Sequence, residues 1–295
     1  MFFKRKEFPK TISLARKTQK PLEYTVDSNI NGFLKLGNAQ SIGNRENQQD
    51  SFGYSDITSE TDVSEKGLMA IISDGMGGLA NGKDASEYVV REFLASFNVI
   101  DRNQNIPEQL VDTIEKINLD FYESAVFANN SKSGATIAAT YMLGSDLYFL
   151  NVGDSRIYLK RQEKLYQISE DHNYCNLLFE DYLNGIGTIQ GAKSDKQSAA
   201  LSSYIGSPVL QYVDYNKKPL EILDGDEVIL CSDGVYNSLS EKELIDCLKE
   251  DPQRAASRII KLIDGKKIPG QDNSTVLIMQ INYKEKSRNE KRKIK

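Results

Sequence analysis

Apolar positions along this chain fall into two rhythms. Short runs rich in apolar and β-branched residues, bounded by Gly, Asn, Asp and Ser, read as strands. They are "GFLKLGNAQSIG", "GLMAIISD", "GATIAATYML", "SDLYFLNVGD", "SRIYLKRQ", "KLYQIS", "DEVILCSD" and "NSTVLIMQIN". The four between Gly134 and Ser169 follow one another with only turn residues between them, which predicts an antiparallel meander. Helical spacing interrupts the strands. "GKDASEYVVREFLASF" predicts a helix from near Lys83. "PEQLVDTIEKINLDFYESAVFA" puts Pro107 at a first helical position and aligns Leu110, Ile114, Ile117, Phe121 and Ala125 on one stripe. "SEKELIDCLKE" opens with Ser240 and Glu243 in a capping-box pattern, and "DPQRAASRIIKLI" follows with Pro252 at its start. Strand runs mixed with paired helices predict an α+β fold, helices packed on antiparallel sheets, rather than a βαβ repeat. The polar segment 173–200, with Gly185, Gly187 and Gly191, reads as a surface flap.

Composition narrows the class. The chain of 295 residues, 39% apolar and 27% charged, is an ordinary soluble composition with enough length for a sizeable core. No apolar run approaches the ~20 residues of a membrane span. "MFFKRKEFPK" has positive charge but no apolar stretch after it, which argues against a secretory signal. Cys175, Cys231 and Cys247 are odd in number and widely spaced, against a disulfide framework or a zinc site and for a reducing cytoplasm. Cys231 sits in "EVILCSD" and reads as core. Charge divides the chain into a basic tail (1–31), one domain (32–283) and a second basic tail (284–295). Outside 1–20 and 284–295 the chain carries 23 basic against 39 acidic residues. An acidic body suits divalent cations and disfavours nucleic acid.

The chemistry concentrates in aspartates. Asp74 ends "LMAIIS", Asp154 ends "LYFLNVG", Asp233 ends "EVILCS", Asp272 begins "DNSTVLIMQI" and Asp50 lies in "NRENQQDSFG". One aspartate in a turn after a strand is ordinary. Several that converge would repel one another unless something positive sat between them. Oxygen ligands without His or Cys suit a hard cation, Mg²⁺ or Mn²⁺. Gly75, lacking a side chain, would let its own carbonyl approach that ion. A rival reading takes "GMGGLA" (75–80) as a dinucleotide fingerprint with Asp101 as its acid. Against it, Asp74 would stand beside a pyrophosphate, and a meander is not a βαβ unit.

The blocks "GNRENQQDS", "AIISDGMGG", "SGATIAATYMLGSDLYFLNVGDSRIYL", "YQISEDHNY", "VILCSDGVYNSL" and "DNSTVLIM" occur in one order. In that order and spacing the chain resembles the metal-dependent serine/threonine protein phosphatases, the PPM or type 2C family, over about 32–282. Met76, where many eukaryotic members have histidine, resembles the bacterial branch. The resemblance implies a four-layer α-β-β-α sandwich of two antiparallel sheets. It implies two Mn²⁺ or Mg²⁺ ions bridged by Asp74, with the Gly75 carbonyl on one and Asp233 and Asp272 on the other. Asp154 matches an aspartate that helps bind a third ion, and Arg45 an arginine that grips the substrate phosphate. A hydroxide bridging the ions would attack phosphorus directly. Gln49 and Asp50 would stand behind the ligands; members often have Asn-Glu-Asp or Asn-Gln-Asp where this chain has Gln48-Gln49-Asp50, and Gln49 removes a possible negative charge that helps hold metal-bound waters, which predicts weaker hold on one ion. Met76 cannot protonate a leaving group, and His172 reads as structural. The expected protein is a cytoplasmic, monomeric phosphatase of phosphoserine and phosphothreonine, opposing a Ser/Thr kinase. The alternative is a catalytically weak phosphoprotein-binding regulator of the same fold.

Overall fold

A computed structural model describes residues 34–55, 65–77, 81–127 and 133–282. The basic tails expected at 1–31 and 284–295 lie outside the described residues, as do Gly78 to Ala80 of the glycine-rich run. Twelve strands are described. They are β1 (Leu34–Ser41), β2 (Asp50–Tyr54), β3 (Leu68–Met76), β4 (Gly134–Ala135), β5 (Ile137–Leu143) and β6 (Asp146–Val152). Then follow β7 (Arg156–Arg161), β8 (Lys164–Gln167), β9 (Asp214–Tyr215), β10 (Leu220–Glu221), β11 (Glu227–Cys231) and β12 (Ser274–Ile281). One sheet has the order β1-β12-β11-β7-β8; the other runs β10-β6-β5-β3-β2, with β4 on β3 and β9 on β6.

The strands alternate between two cores. Leu68, Ala70 and Ile72 of β3 meet Val228 and Leu230 of β11 and Leu277 and Met279 of β12 between the sheets. The intervening residues of β3, Met69 and Ile71, turn outward onto α1 (Asn81–Ser96) and α2 (Ile106–Phe127). On the opposite side Ile229, Cys231, Val276 and Ile278 pack against α6 (Glu241–Cys247) and α7 (Pro252–Lys266). Both faces of β3, β11 and β12 are therefore covered, which is why their sequences are apolar without a break. Each such large aliphatic side chain contributes about 1.5–3 kcal/mol by leaving water. The result is the expected sandwich: helices, sheet, sheet, helices.

Helix signals held. The stripe Leu110, Ile114, Ile117, Phe121 and Ala125 is buried. Ser240 and Glu243 form the capping box of α6, and Asp251 caps α7 ahead of Pro252. The flap segment carries two short helices, α3 (Tyr174–Leu183) capped by Asn173 and α4 (Ile189–Ser194) capped by Thr188. The one-turn α5 (Asp233–Tyr236) follows β11.

The meander did not hold. β5 and β6 form a hairpin in one sheet and β7 and β8 a hairpin in the other. The chain changes sheet at Gly153–Ser155, where Gly153 takes φ +106°, a conformation that L side chains rarely adopt. Periodicity cannot reveal this, because both hairpins alternate in the same way. Nor did it mark β2, five residues with a glycine inside. Every strand pair among the described residues is antiparallel, which removes the βαβ setting of the dinucleotide reading. Asp101 instead accepts hydrogen bonds from Asn103 and Gln104 in its own turn.

Candidate metal centre

The aspartates converge because the strands that carry them end on one side of the sandwich. Asp74 lies inside β3 rather than after it, directly opposite Asp50 on β2. Asp154 lies in the turn where the chain passes from one sheet to the other. Asp233 opens α5 behind β11, and Asp272 precedes β12. A cleft of about 360 Å³ is lined by Arg45, Gln49, Asp74, Gly75, Asp154, Asp233 and Asp272, together with Met76, Thr136 and Asn273. Seven of the eight expected site residues thus share one cleft. The eighth, Asp50, is buried behind it at 4% exposure.

Burial and mutual repulsion dominate the electrostatics. Asp50 is pushed up to about 7, chiefly by desolvation, although Ser232 (2.8 Å) and Thr275 (2.6 Å) donate to its Oδ2. Burial and the neighbouring Asp50, Asp233, Asp154 and Asp272 hold Asp74 well above the usual carboxylate range. Desolvation, then Asp233, push Asp154 up to about 7. Asp233 rises to about 6 through burial and Asp272. Arg45 is the cation at this rim. Its Nη2 donates to Asp272 Oδ2 at 2.5 Å, and both side chains are partly exposed.

A divalent cation fits this set. The donors are oxygens, the site is several carboxylates short of neutral, and Asp50 Oδ1 and Asp233 Oδ1 are buried with no hydrogen-bond partner among the described residues. A buried carboxylate oxygen left without a partner is costly unless a cation or water takes it. Among the described residues no three acidic, His or Cys side chains converge closely enough to enclose an ion alone. Mg²⁺ and Mn²⁺ do not require that, since an ion that keeps several waters needs only one or two carboxylates.

Gly75 has a further reason to be glycine. A Cβ there would lie 2.0 Å from the Gly82 carbonyl oxygen and 2.7 Å from that of Gln49. Bare backbone at Gly75 lets β3 press against the first turn of α1, and its N–H donates to the Gln49 carbonyl at 3.1 Å. This packing requirement stands beside the expected approach of the Gly75 carbonyl to an ion. Gln49 is also more than a missing charge. Its Nε2 donates to the Gly77 carbonyl at 3.2 Å, which a glutamate cannot do.

Several supporting residues were not foreseen. Asn273 accepts from the Gln49 N–H at 2.7 Å and donates to the Ile42 carbonyl at 2.9 Å, while Asn44 and Gln271 exchange bonds. These contacts clamp the Arg45 loop to the Asp272 loop. Arg156 grips Asp171 through Nε (3.0 Å) and Nη2 (2.7 Å), and its guanidinium lies 3.5 Å from the Tyr236 ring centroid. The Tyr236 hydroxyl donates to the Asp154 carbonyl at 2.9 Å. Arg156 follows Asp154 by two residues in the sequence, but only the fold shows what it braces. His172 matches its structural reading. Its Nδ1 accepts from the Gly153 N–H at 3.1 Å, and burial lowers it to about 4. Cys231 is core, fully buried, its thiol pushed up to about 12 by desolvation.

Comparison with known proteins places the chain in a family. A family model described as Protein phosphatase 2C matches residues 39–260. The serine/threonine phosphatase stp of Listeria welshimeri is 30% identical over 226 residues, covering 75% of this chain and 87% of that protein. Protein phosphatase PhpP of Streptococcus pneumoniae is 27% identical over 216 residues, covering 72% and 86%. The solved structure of the S. agalactiae serine/threonine phosphatase superposes with a TM-score of 0.74 at 26% identity, covering 85% of this chain and 100% of that one. The chain belongs to the protein phosphatase 2C family and is a protein serine/threonine phosphatase.

Proposed function

We propose that the cleft hydrolyses phosphoserine and phosphothreonine on proteins with the help of two Mn²⁺ or Mg²⁺ ions, and of a third beside Asp154. The observation that carries this reading is the mutually repelling set Asp74, Asp154 and Asp233 within the cleft, with the partly exposed pair Asp272 and Arg45 at its rim. In it Asp74, Asp233, Asp272 and the Gly75 carbonyl would hold the two ions. Bound ions of this kind acidify water and offset charge on phosphoryl oxygens.

The chain's own residues supply the rest. Arg45 binds the phosphate oxygens with its planar fork, so an incoming phosphate dianion competes with Asp272 for the guanidinium. No cysteine lines the cleft, and the Thr136 hydroxyl is already used by the Asp74 N–H and Ser155. That favours water as the nucleophile, giving inorganic phosphate and the free hydroxyl amino acid without a covalent intermediate. Asp50, through Ser232 and Thr275, ties β2 to the ends of β11 and β12 and fixes the strand partners of two ligands.

On the same reading 32–283 is the catalytic domain. The protein is a cytoplasmic monomer whose phosphoprotein substrates come from a Ser/Thr kinase, and nucleic acid is not among its partners. Free thiols at Cys175, Cys231 and Cys247 suit a reducing compartment. Among the described residues no helix is long and apolar enough to cross a membrane. The test is phosphate release from phosphoserine, phosphothreonine and phosphotyrosine peptides with Mn²⁺ and with EDTA. Release from the first two, lost with EDTA, is expected. Tight binding of the phosphopeptides without release under any metal would favour the silent regulator instead.

A further inference from the structure

A second hollow, of about 160 Å³, opens beside the cleft. One stretch of chain separates the two: Ala199, Ala200 and Leu201 line the cleft, and Ser202 lines the hollow. The hollow is acidic. Glu170, Glu180 and Asp214 border it, while the nearby Asp171 is already neutralised by Arg156. Burial, Asp214, Glu180 and Asp171 all push the Glu170 carboxyl upward, and among the described residues no cation offsets them.

An acidic rim alone means little, but the floor is unusual. His172 is 6% exposed and lines the hollow. Its Nδ1 is taken by the Gly153 N–H, so the neutral ring carries its proton on Nε2, and Nε2 has no partner among the described residues. The Ser202 hydroxyl, also at the hollow, is buried and has no hydrogen-bond partner among the described residues. Leu177 and Tyr212 supply apolar wall.

We propose that this hollow receives a lysine or arginine side chain of the phosphoprotein substrate, close in sequence to the phosphorylated residue held in the cleft. The proposal rests on the phosphatase reading and specifies its substrates. The volume is below the roughly 300–1,000 Å³ that encloses small-molecule ligands and suits one long side chain. The aliphatic stem of a lysine or arginine lies on Leu177 and Tyr212 while its charge meets the carboxylates. The His172 N–H repels a bare metal cation, but it matches a peptide carbonyl of the same substrate.

The test uses the Mn²⁺-loaded full chain. Phosphoserine peptides carry one arginine, or alanine instead, at each of the three positions on either side, and p-nitrophenyl phosphate is run in parallel. At one or more positions arginine raises kcat/KM roughly fivefold, through KM, the size expected of a few partly exposed ion pairs. The double variant Glu170→Gln/Glu180→Gln cuts that gain below about twofold. A control, Glu115→Gln/Glu123→Gln on the exposed side of α2, keeps it. Turnover of p-nitrophenyl phosphate with no arginine gain at any position overturns the pocket and leaves the phosphatase reading standing. So does a gain that survives Glu170→Gln/Glu180→Gln, or one lost equally in the control. No turnover of any substrate overturns both.

Discussion

Asp50 and Asp74 are direct partners in the antiparallel register of β2 and β3, two acids facing each other across a buried ladder. Like charges placed opposite one another destabilise a sheet. The pairing is tolerable when one is protonated or when a cation sits in front of them, and that choice sets the protein's response to pH.

Asp50 and Asp154 at about 7 and Asp233 at about 6 all lie above their ordinary 3.8. Between those values the folded chain holds more protons than the unfolded chain, so metal-free stability falls as pH rises through the window. His172, lowered to about 4, acts the other way, adding stability as pH rises from there to its ordinary 6.5, but it is one group against several. Thermal unfolding of the EDTA-treated protein is expected at a higher temperature near about pH 5 than near about pH 8, with Mn²⁺ restoring the loss at the higher pH. A metal-free melting temperature that is flat or rises over this range would count against the account.

Arg156 holds Asp171, which is 8% exposed, and stacks on Tyr236, which reaches the Asp154 carbonyl. Arg156→Ala leaves a buried carboxylate without its cation and is expected to cost about 3–5 kcal/mol in urea unfolding. Tyr236→Phe should cost only about 1 kcal/mol. Equal, small effects from the two would show that no brace exists.

Arg45 and Asp272 are both partly exposed at the rim, so their pairing adds little to stability. Arg45→Ala is expected to leave the melting temperature within a degree or two and to lower kcat/KM by about a hundredfold, on p-nitrophenyl phosphate as on phosphopeptides. Arg45→Lys should recover only part, because a point charge replaces a fork. Full activity in either variant would remove Arg45 from the site.

Gln49→Glu adds an acid to the cleft and loses the donor to the Gly77 carbonyl. The expected outcome is tighter Mn²⁺ activation, by about tenfold in the half-activating concentration, together with lower metal-free stability. Unchanged activation would mean that this side chain serves the surrounding backbone and not the ions.

Much of this was readable from the sequence because burial writes itself into strands. β11 and β12 are covered on both faces, and "EVILC" and "STVLIMQI" show it. The repeated pattern of apolar run followed by Asp gave the site, since such aspartates gather when the strands that carry them share one end. Pairing across the sandwich left no such mark. Nothing local assigns β7 to one sheet rather than the other, and "DSFGY" is too short and too polar to read as β2. The clamps made by Asn273 and Gln271, and the Arg156 brace, join residues whose separation in sequence carries no periodic signal. The flap showed polarity but not its two capped helices, although Asn173 and Thr188 are cap residues by type.

The most direct test is a Mn²⁺ titration of p-nitrophenyl phosphate hydrolysis by the wild type and by Asp74→Asn. The account predicts saturable activation of the wild type. In the variant it predicts a loss of about a thousandfold in turnover, with a metal-free melting temperature above that of the wild type because one repelling charge is gone. Metal-independent hydrolysis, or an Asp74→Asn protein as active as the wild type, would contradict a metal centre built on these aspartates.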